Sequence, residues 1–210
     1  MAAPERAKRA KGTAAGATRT TSIITRTERS LSVSDLVEPA MESHVLVCYH
    51  SKTGNTKKMA EAIAEGVYEG GGKPHLTQPD QFEVAHLLDF HGYIIGSPTY
   101  YGQMAAPIKE MFDQSVVLHG RLAGRVGAAF ASSANIGGGN ETTCLTIAHM
   151  MMVHGMLVLG SPQGDHYGPV SVGGPPNDRV LAQCRMLGSR VAKFARRLAE
   201  ARARDGKKAM

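Results

Sequence analysis

Residues 51–56 read Ser51-Lys52-Thr53-Gly54-Asn55-Thr56 and stand between two different periodicities. Before them, His44-Val45-Leu46-Val47-Cys48-Tyr49-His50 is apolar and rich in β-branched residues, the pattern of a strand. After them, Met59, Ala62, Ile63 and Val67 recur at helical spacing. A hydroxyl-rich loop that opens a helix suits an anion. The first helical amides have no partner inside the helix, and the dipole favours negative charge there. The stretch lacks the Gly-Lys-Ser/Thr ending of an ATP-binding loop and the three spaced glycines of a dinucleotide fold. A monophosphate is the anion it fits. Ser, Thr and Asn are also ordinary helix caps, so the loop alone leaves open a capped turn that holds nothing.

Working outward, strand and helix signals alternate. A helix over about 55–69 closes at Gly70-Gly71-Gly72, and a short strand follows near 73–77. Residues 81–88 read as one or two helical turns. Gly92-Tyr93-Ile94-Ile95-Gly96 is an apolar strand ending in Ser97-Pro98-Thr99-Tyr100-Tyr101-Gly102, and a helix covers about 104–116. Residues 125–132 form a strand that ends in the loop Ser133-Ala134-Asn135-Ile136-Gly137-Gly138-Gly139. Asn140 caps a long helix to about 153, with Gly155 suited to its left-handed terminus. Residues 156–159 are the last strand, 161–176 a Gly/Pro loop, and 178–203 a final amphipathic helix. Five strands alternating with helices predict an α/β fold: a parallel sheet with helices on both faces. In such sheets ligands bind outside the carboxyl ends of the strands. The loops at 51–56, 97–102 and 132–139 all follow strands, so they should gather at one rim.

The chain has 210 residues, 42% hydrophobic and 20% charged, which is room for one good core. Its net charge of +6 invites a nucleic-acid reading until the charges are located. Residues 1–40 carry seven basic and four acidic side chains, and residues 196–210 carry six and two. That leaves 11 basic and 12 acidic between them, so the folded body has no basic face for nucleic acid. Cys48, Cys144 and Cys184 are odd in number and widely spaced, which suggests neither disulfides nor a zinc site, but a reducing, cytoplasmic compartment. No run is long enough to insert in a membrane. Residues 1–43 lack apolar periodicity and read as a disordered basic extension, 44–203 as the folded domain, and 204–210 as a basic tail. Met41 stands just before the first strand; an organelle-targeting extension and an upstream artefact of a start at Met41 both stay open.

The ordered set of loops resembles a known family. Ser51-Lys52-Thr53-Gly54-Asn55-Thr56 is similar to the FMN phosphate loop of flavodoxin-like proteins. Gly96-Ser97-Pro98-Thr99-Tyr100-Tyr101-Gly102-Gln103-Met104, then Phe112-Asp113-Gln114, resembles the Trp repressor-binding-protein type of NAD(P)H:quinone oxidoreductase. Ser132-Ser133, Gly137-Gly138-Gly139, Glu141 and His154-Gly155-Met156 continue the match across roughly residues 44–195. The resemblance implies a flavodoxin-like three-layer fold with strand order 2-1-3-4-5. It also implies FMN as cofactor and NADH or NADPH as co-substrate. By it, Ser51, Lys52, Thr53, Gly54, Asn55 and Thr56 would hold the phosphate. Pro98, Thr99, Tyr100, Tyr101 and Gly102 would line the ring, and Ser133, Ala134, Asn135, Ile136, Gly137, Gly138 and Gly139 would face its pyrimidine edge. His154 would border the flavin as a catalytic and substrate-contacting residue. His119 would lie in a substrate pocket shared with a neighbouring subunit of a homodimer or homotetramer. The implied reaction passes two electrons from NAD(P)H to a quinone or other small flat acceptor by a ping-pong scheme.

Each residue has a plainer reading beside this one. Tyr100 and Tyr101 are equally loop residues packing on a helix, and His154 a charge at a helix terminus. His149, Asp165 and His166 form no recognised metal set, and no metal is expected. Thr53 stands where the quinone reductases usually carry a Tyr, and Val153-His154 where they often have two histidines. A flavodoxin-like electron carrier is the alternative function, although carriers tend to be strongly acidic and this body is near neutral.

Overall fold

The computed structural model describes residues 41–208, with side chains to 205. The extension expected over 1–43 therefore lies outside the described residues except for its last three. Strand β1 (Ser43–Tyr49) leads into helix α1 (Asn55–Glu69) and strand β2 (Gly72–Thr77). Two short 3-10 turns, Pro79–Gln81 and Val84–Asp89, carry the chain to β3 (Gly92–Tyr100). Then come β4 (Gln103–Met104), α2 (Ala106–Gln114), β5 (Val126–Ser133) and α3 (Asn140–Val153). The chain ends with β6 (Leu157–Val158), β7 (Val170–Val172) and α4 (Asp178–Lys208).

The sheet runs β2-β1-β3-β5-β6 with parallel pairing throughout, the 2-1-3-4-5 order expected once the hairpin strand β4 is set aside. Both faces are covered. Val45, Val47, Ile94, Ala128 and Phe130 point to α1 and α4, whereas Leu46, Cys48, Tyr93, Ile95, Ala129 and Ala131 point to α2 and α3. This alternation puts one apolar side chain on each layer in turn, and each face closes its own core. Helices α1 and α4 cross in near contact. A Cβ on Gly66 would stand 2.0 Å from the Arg185 carbonyl oxygen, and one on Gly188 2.1 Å from that of Ile63.

Three details differ from the expectation. β3 does not end at Gly96 but continues through Pro98 to Tyr100, paired with β5 as far as Pro98. Its β1 partner stops at Gly96, so the amide that proline lacks has no ladder bond to lose. The fifth strand position is split. β6 lies beside Val126 and Gly127, β7 lies beside Ala131–Ser133, and the loop between them leaves the sheet. Gly160, Pro162, Gly164, Gly168 and Pro169 interrupt the strand, and Val170-Ser171-Val172 resumes it inside what reads as one long loop. Finally, α4 runs on to Lys208, so most of the expected tail is helical.

Candidate functional site

Parallel strands put every strand-to-helix loop on the same edge, and the three loops do converge there. Each is tied to its neighbours by short polar contacts. Thr56 Oγ1 and Ser132 Oγ share a hydrogen bond of 2.9 Å, buried at the base of the first and third loops. Lys52 Nζ lies over the Tyr100 ring, 5.7 Å from its centre, and joins the first loop to the second. Thr143 Oγ1 donates to the Gly139 carbonyl (2.8 Å), which leaves Thr99 Oγ1 to donate to Thr143 (3.0 Å) between the second and third.

The first loop has the geometry to seat an anion. Gly54 precedes α1 at φ 91°, a left-handed conformation that points the following amides outward, and no acidic residue occupies the first turn. Ser51 Oγ accepts from the Gly54 amide (3.1 Å) and the Lys57 amide (3.3 Å), which closes the loop and leaves its proton free to donate. The amides of Thr53, Asn55 and Thr56 have no protein partner among the described residues. A phosphate would satisfy them.

The second loop is a two-residue hairpin. Thr99 pairs with Met104 and Tyr100 with Gln103, and the turn residues Tyr101 and Gly102 sit at φ 50° and 74°. Both central angles are positive, as a type I′ turn requires, and Tyr101 is the one non-glycine in that region among the described residues. Its ring is fully exposed. A strained, solvent-facing aromatic beside an open seat has the character of a ligand contact. In the third loop Ser133 Oγ donates to the Asn135 carbonyl (3.0 Å), and the Gly138 amide donates to the same oxygen (3.2 Å). Ile136 is 92% exposed, and Gly139 closes the loop at φ 97° as the residue before α3.

The structure thus brings Ser51–Thr56, Pro98–Gly102 and Ser133–Gly139 together at the rim. Pro98 and Thr99 serve there as strand and bonded residues rather than as a free turn. It does not bring His119 or His154 to that rim within the chain. α3 starts at the rim and runs back for 14 residues, so His154 at its end lies roughly 20 Å away. His154 is only 6% exposed and lines a cavity of about 350 Å³ together with Phe112, Val116, His119 and Val153. Ser115 Oγ donates to the Phe112 carbonyl (2.7 Å), so the His154 Nε2–H must donate to Ser115 (2.8 Å). Nδ1 is then an unprotonated acceptor, buried without a partner. Burial, then the nearby His119, lowers the pKa of His154. Of the residues weighed for a metal, Asp165 holds Arg179 (3.0 Å) and the Val170 amide (2.9 Å), and His166 contacts the Ser161 carbonyl.

Sequence reasoning missed a fourth loop, Gly173-Gly174-Pro175-Pro176, which follows β7 onto the same edge. The Gly173 amide donates to the Ser133 carbonyl (2.9 Å), and Ser171 Oγ to that of Gly174 (3.1 Å). Its signal was the alternation Val170-Ser171-Val172, too short to stand out from the surrounding glycines and prolines.

A parallel sheet in this order, with an open helix N-terminus after its first strand and an aromatic hairpin after its third, defines a flavodoxin-like protein. The family model for NADPH-dependent FMN reductase matches residues 73–164. An NAD(P)H dehydrogenase (quinone) of Archaeoglobus fulgidus is 35% identical over 190 residues, covering 74% of this chain and 99% of the relative. A flavodoxin of Aquifex aeolicus is 39% identical over 158 residues, covering 71% and 85%. The crystal structure of a WrbA-like flavodoxin from Agrobacterium tumefaciens superposes with a TM-score of 0.63 at 28% identity, covering 74% of this chain and 99% of that one. The chain belongs to the flavodoxin-like NAD(P)H:quinone oxidoreductase family.

Proposed function

We propose that the rim holds FMN, which takes two electrons from NAD(P)H and passes them to a small flat acceptor such as a quinone, in a ping-pong sequence. The observation that carries this is the meeting of an open anion seat and an exposed aromatic hairpin across one polar-stapled edge. Ser51, Lys52, Thr53, Gly54, Asn55 and Thr56 hold the phosphate through backbone amides and hydroxyls. Pro98, Thr99, Tyr100, Tyr101 and Gly102 form one wall of the ring site, and residues 133–139 supply backbone donors along the other. Donors fixed in place beforehand favour negative charge at the ring without reorganisation, which is the protein's share of the chemistry. No side-chain acid or base is required for that share.

His119 and His154 enter this scheme only through a second copy of the chain. Val116, Val117, Met152, Val153 and Leu157 are exposed aliphatic residues at the end of the molecule where those histidines lie. Apolar surface of that kind favours association. We take the protein to be a homodimer or homotetramer in which a partner's His119 and His154 border the acceptor. Three buried, unpaired cysteines accord with a cytoplasmic setting. No helix among the described residues is long and apolar enough to cross a membrane.

A second reading, an electron carrier without turnover of its own, draws on the Aquifex relative that is called a flavodoxin. One assay separates the two. Purified protein loaded with FMN is given NADH or NADPH and benzoquinone. Nucleotide oxidation with parallel double-reciprocal lines is expected. FMN binding with no oxidation of either nucleotide leaves the carrier; no FMN binding removes both.

A further inference from the structure

We propose that the hydroxyl of Thr142 is a clasp that fastens the Tyr101-Gly102 turn to the first turn of α3 and sets the gap between the second and third loops before any ligand arrives. This rests on reading that gap as the seat of the flavin ring, and it makes Thr142 a positioning residue. The hairpin cannot hold its own shape. Its return strand is two residues long, Gln103 and Met104, and its tip forces an aromatic residue to φ 50°. An arm that short, with a strained tip, needs support from outside.

Two contacts reach the turn itself. Gly139 is pressed against it so closely that a Cβ there would stand 2.6 Å from Gly102 Cα. Thr142 Oγ1 lies 3.0 Å from the Gly102 carbonyl and 2.9 Å from the Gly139 carbonyl, and shares one proton between them. The Gly139 contact is repulsive on its inner side: it stops the loops from closing further but cannot stop them from opening. The Thr99–Thr143 bond is anchored a residue or more below the turn. Thr142 alone pulls the tip inward. Its side chain is exposed, so nothing in the core demands a threonine there. A hydroxyl bridging two carbonyls on separate loops is the feature that a merely solvated residue lacks.

The test uses the full chain with Thr142→Val, which keeps the shape and removes the hydroxyl, and Thr142→Ser, which keeps the hydroxyl. Amide hydrogen exchange of Gln103 and Met104 is measured in the FMN-free protein, and FMN affinity by quenching of flavin fluorescence. Thr142→Val is expected to speed exchange at those amides and weaken FMN binding, each by about 3- to 10-fold, the effect of one net hydrogen bond. Thr142→Ser should restore both. A valine variant with wild-type exchange and wild-type affinity overturns the clasp, and so does a serine variant that behaves like valine. If the wild type does not bind FMN, the flavin reading fails, and the clasp stands or falls on hydrogen exchange alone.

Discussion

At the carboxyl edge of the sheet, glycines and hydroxyls do the fastening; at the opposite edge, a guanidinium, a histidine and aliphatic side chains do it. The rim is tied by Thr56–Ser132, Thr99–Thr143 and Thr142–Gly102, each about 3 Å long and uncharged, with Lys52 over the Tyr100 ring as a cation beside them. At the far edge the two N–H groups of Arg125 Nη1 are shared among the carbonyls of Leu87, Leu88 and Phe90 and the Tyr93 hydroxyl, pinning the 84–90 turn under β3. The contrast has a physical reason. A seat for a ligand must leave amides open and bring backbones close, which small residues permit. Away from such a seat, a long charged side chain can be spent on satisfying carbonyls. Val116, Val117, Met152 and Val153 are exposed at that far edge, the surface on which the proposed association rests.

Gly139→Ala should break the rim most severely. It places a Cβ at φ 97° and 2.6 Å from Gly102 Cα, backbone against backbone, so neither loop can yield without losing the gap. The expected cost is about 2–4 kcal/mol of stability, the sum of left-handed strain and a forced shift. FMN affinity should fall at least tenfold in the folded fraction. Urea unfolding and flavin titration together check this, and affinity equal to the wild type would show that the gap is not the ring site. Arg125→Leu sharpens the contrast from the other end. Four acceptors lose a charged donor, for an expected loss of about 2–3 kcal/mol. Its FMN affinity should stay within about twofold, because nothing it touches reaches the rim. A large loss of affinity would mean that the two edges are coupled.

How much of this was legible in the sequence follows from the range of each signal. The parallel sheet and the rim position of the three loops follow from alternation of strand and helix, right-handed crossovers narrow the topologies to a few, and the strand order itself rests on the family resemblance. The Ser51–Thr56 loop was readable because its meaning is local: one glycine, three hydroxyls and a helix start. The length of β3 was not readable, since Pro98 looks like a breaker unless β1 is known to have ended. The split fifth strand was hidden by glycines whose role is to let the chain leave and return. His154 is the instructive case. In sequence it lies 15 residues past Gly139, which says nothing about distance until the helix between them is laid straight. The tautomer set by Ser115 and the staples Thr142 and Ser132 depend on side chains meeting across long sequence separations, which no periodicity reports.

The smallest expected effect concerns protons, and it compares the same two edges. His50 near the rim, and His91 and His154 at the far edge, all have pKa values held below the ordinary 6.5, in each case first by burial. Lys52 adds to the effect at His50, and His44, Arg125 and Arg202 add to it at His91. His91 Nδ1 also accepts the His44 amide (3.0 Å), a bond that protonation would break. A folded pKa below the unfolded one means that the unfolded chain binds more protons in that window. Stability from these groups is therefore complete above pH 6.5 and is lost as pH falls through and below it. Urea midpoints measured at pH 7.5 and 5 should show the loss with an unchanged slope. His91→Gln and His154→Asn should each shrink the gap between the two midpoints, and His50→Gln should shrink it less, since the Asp80 carboxylate works against the depression there. Equal midpoints at both pH values would mean that the imidazoles are free to charge in the folded state. The far edge would then be open to water rather than sealed.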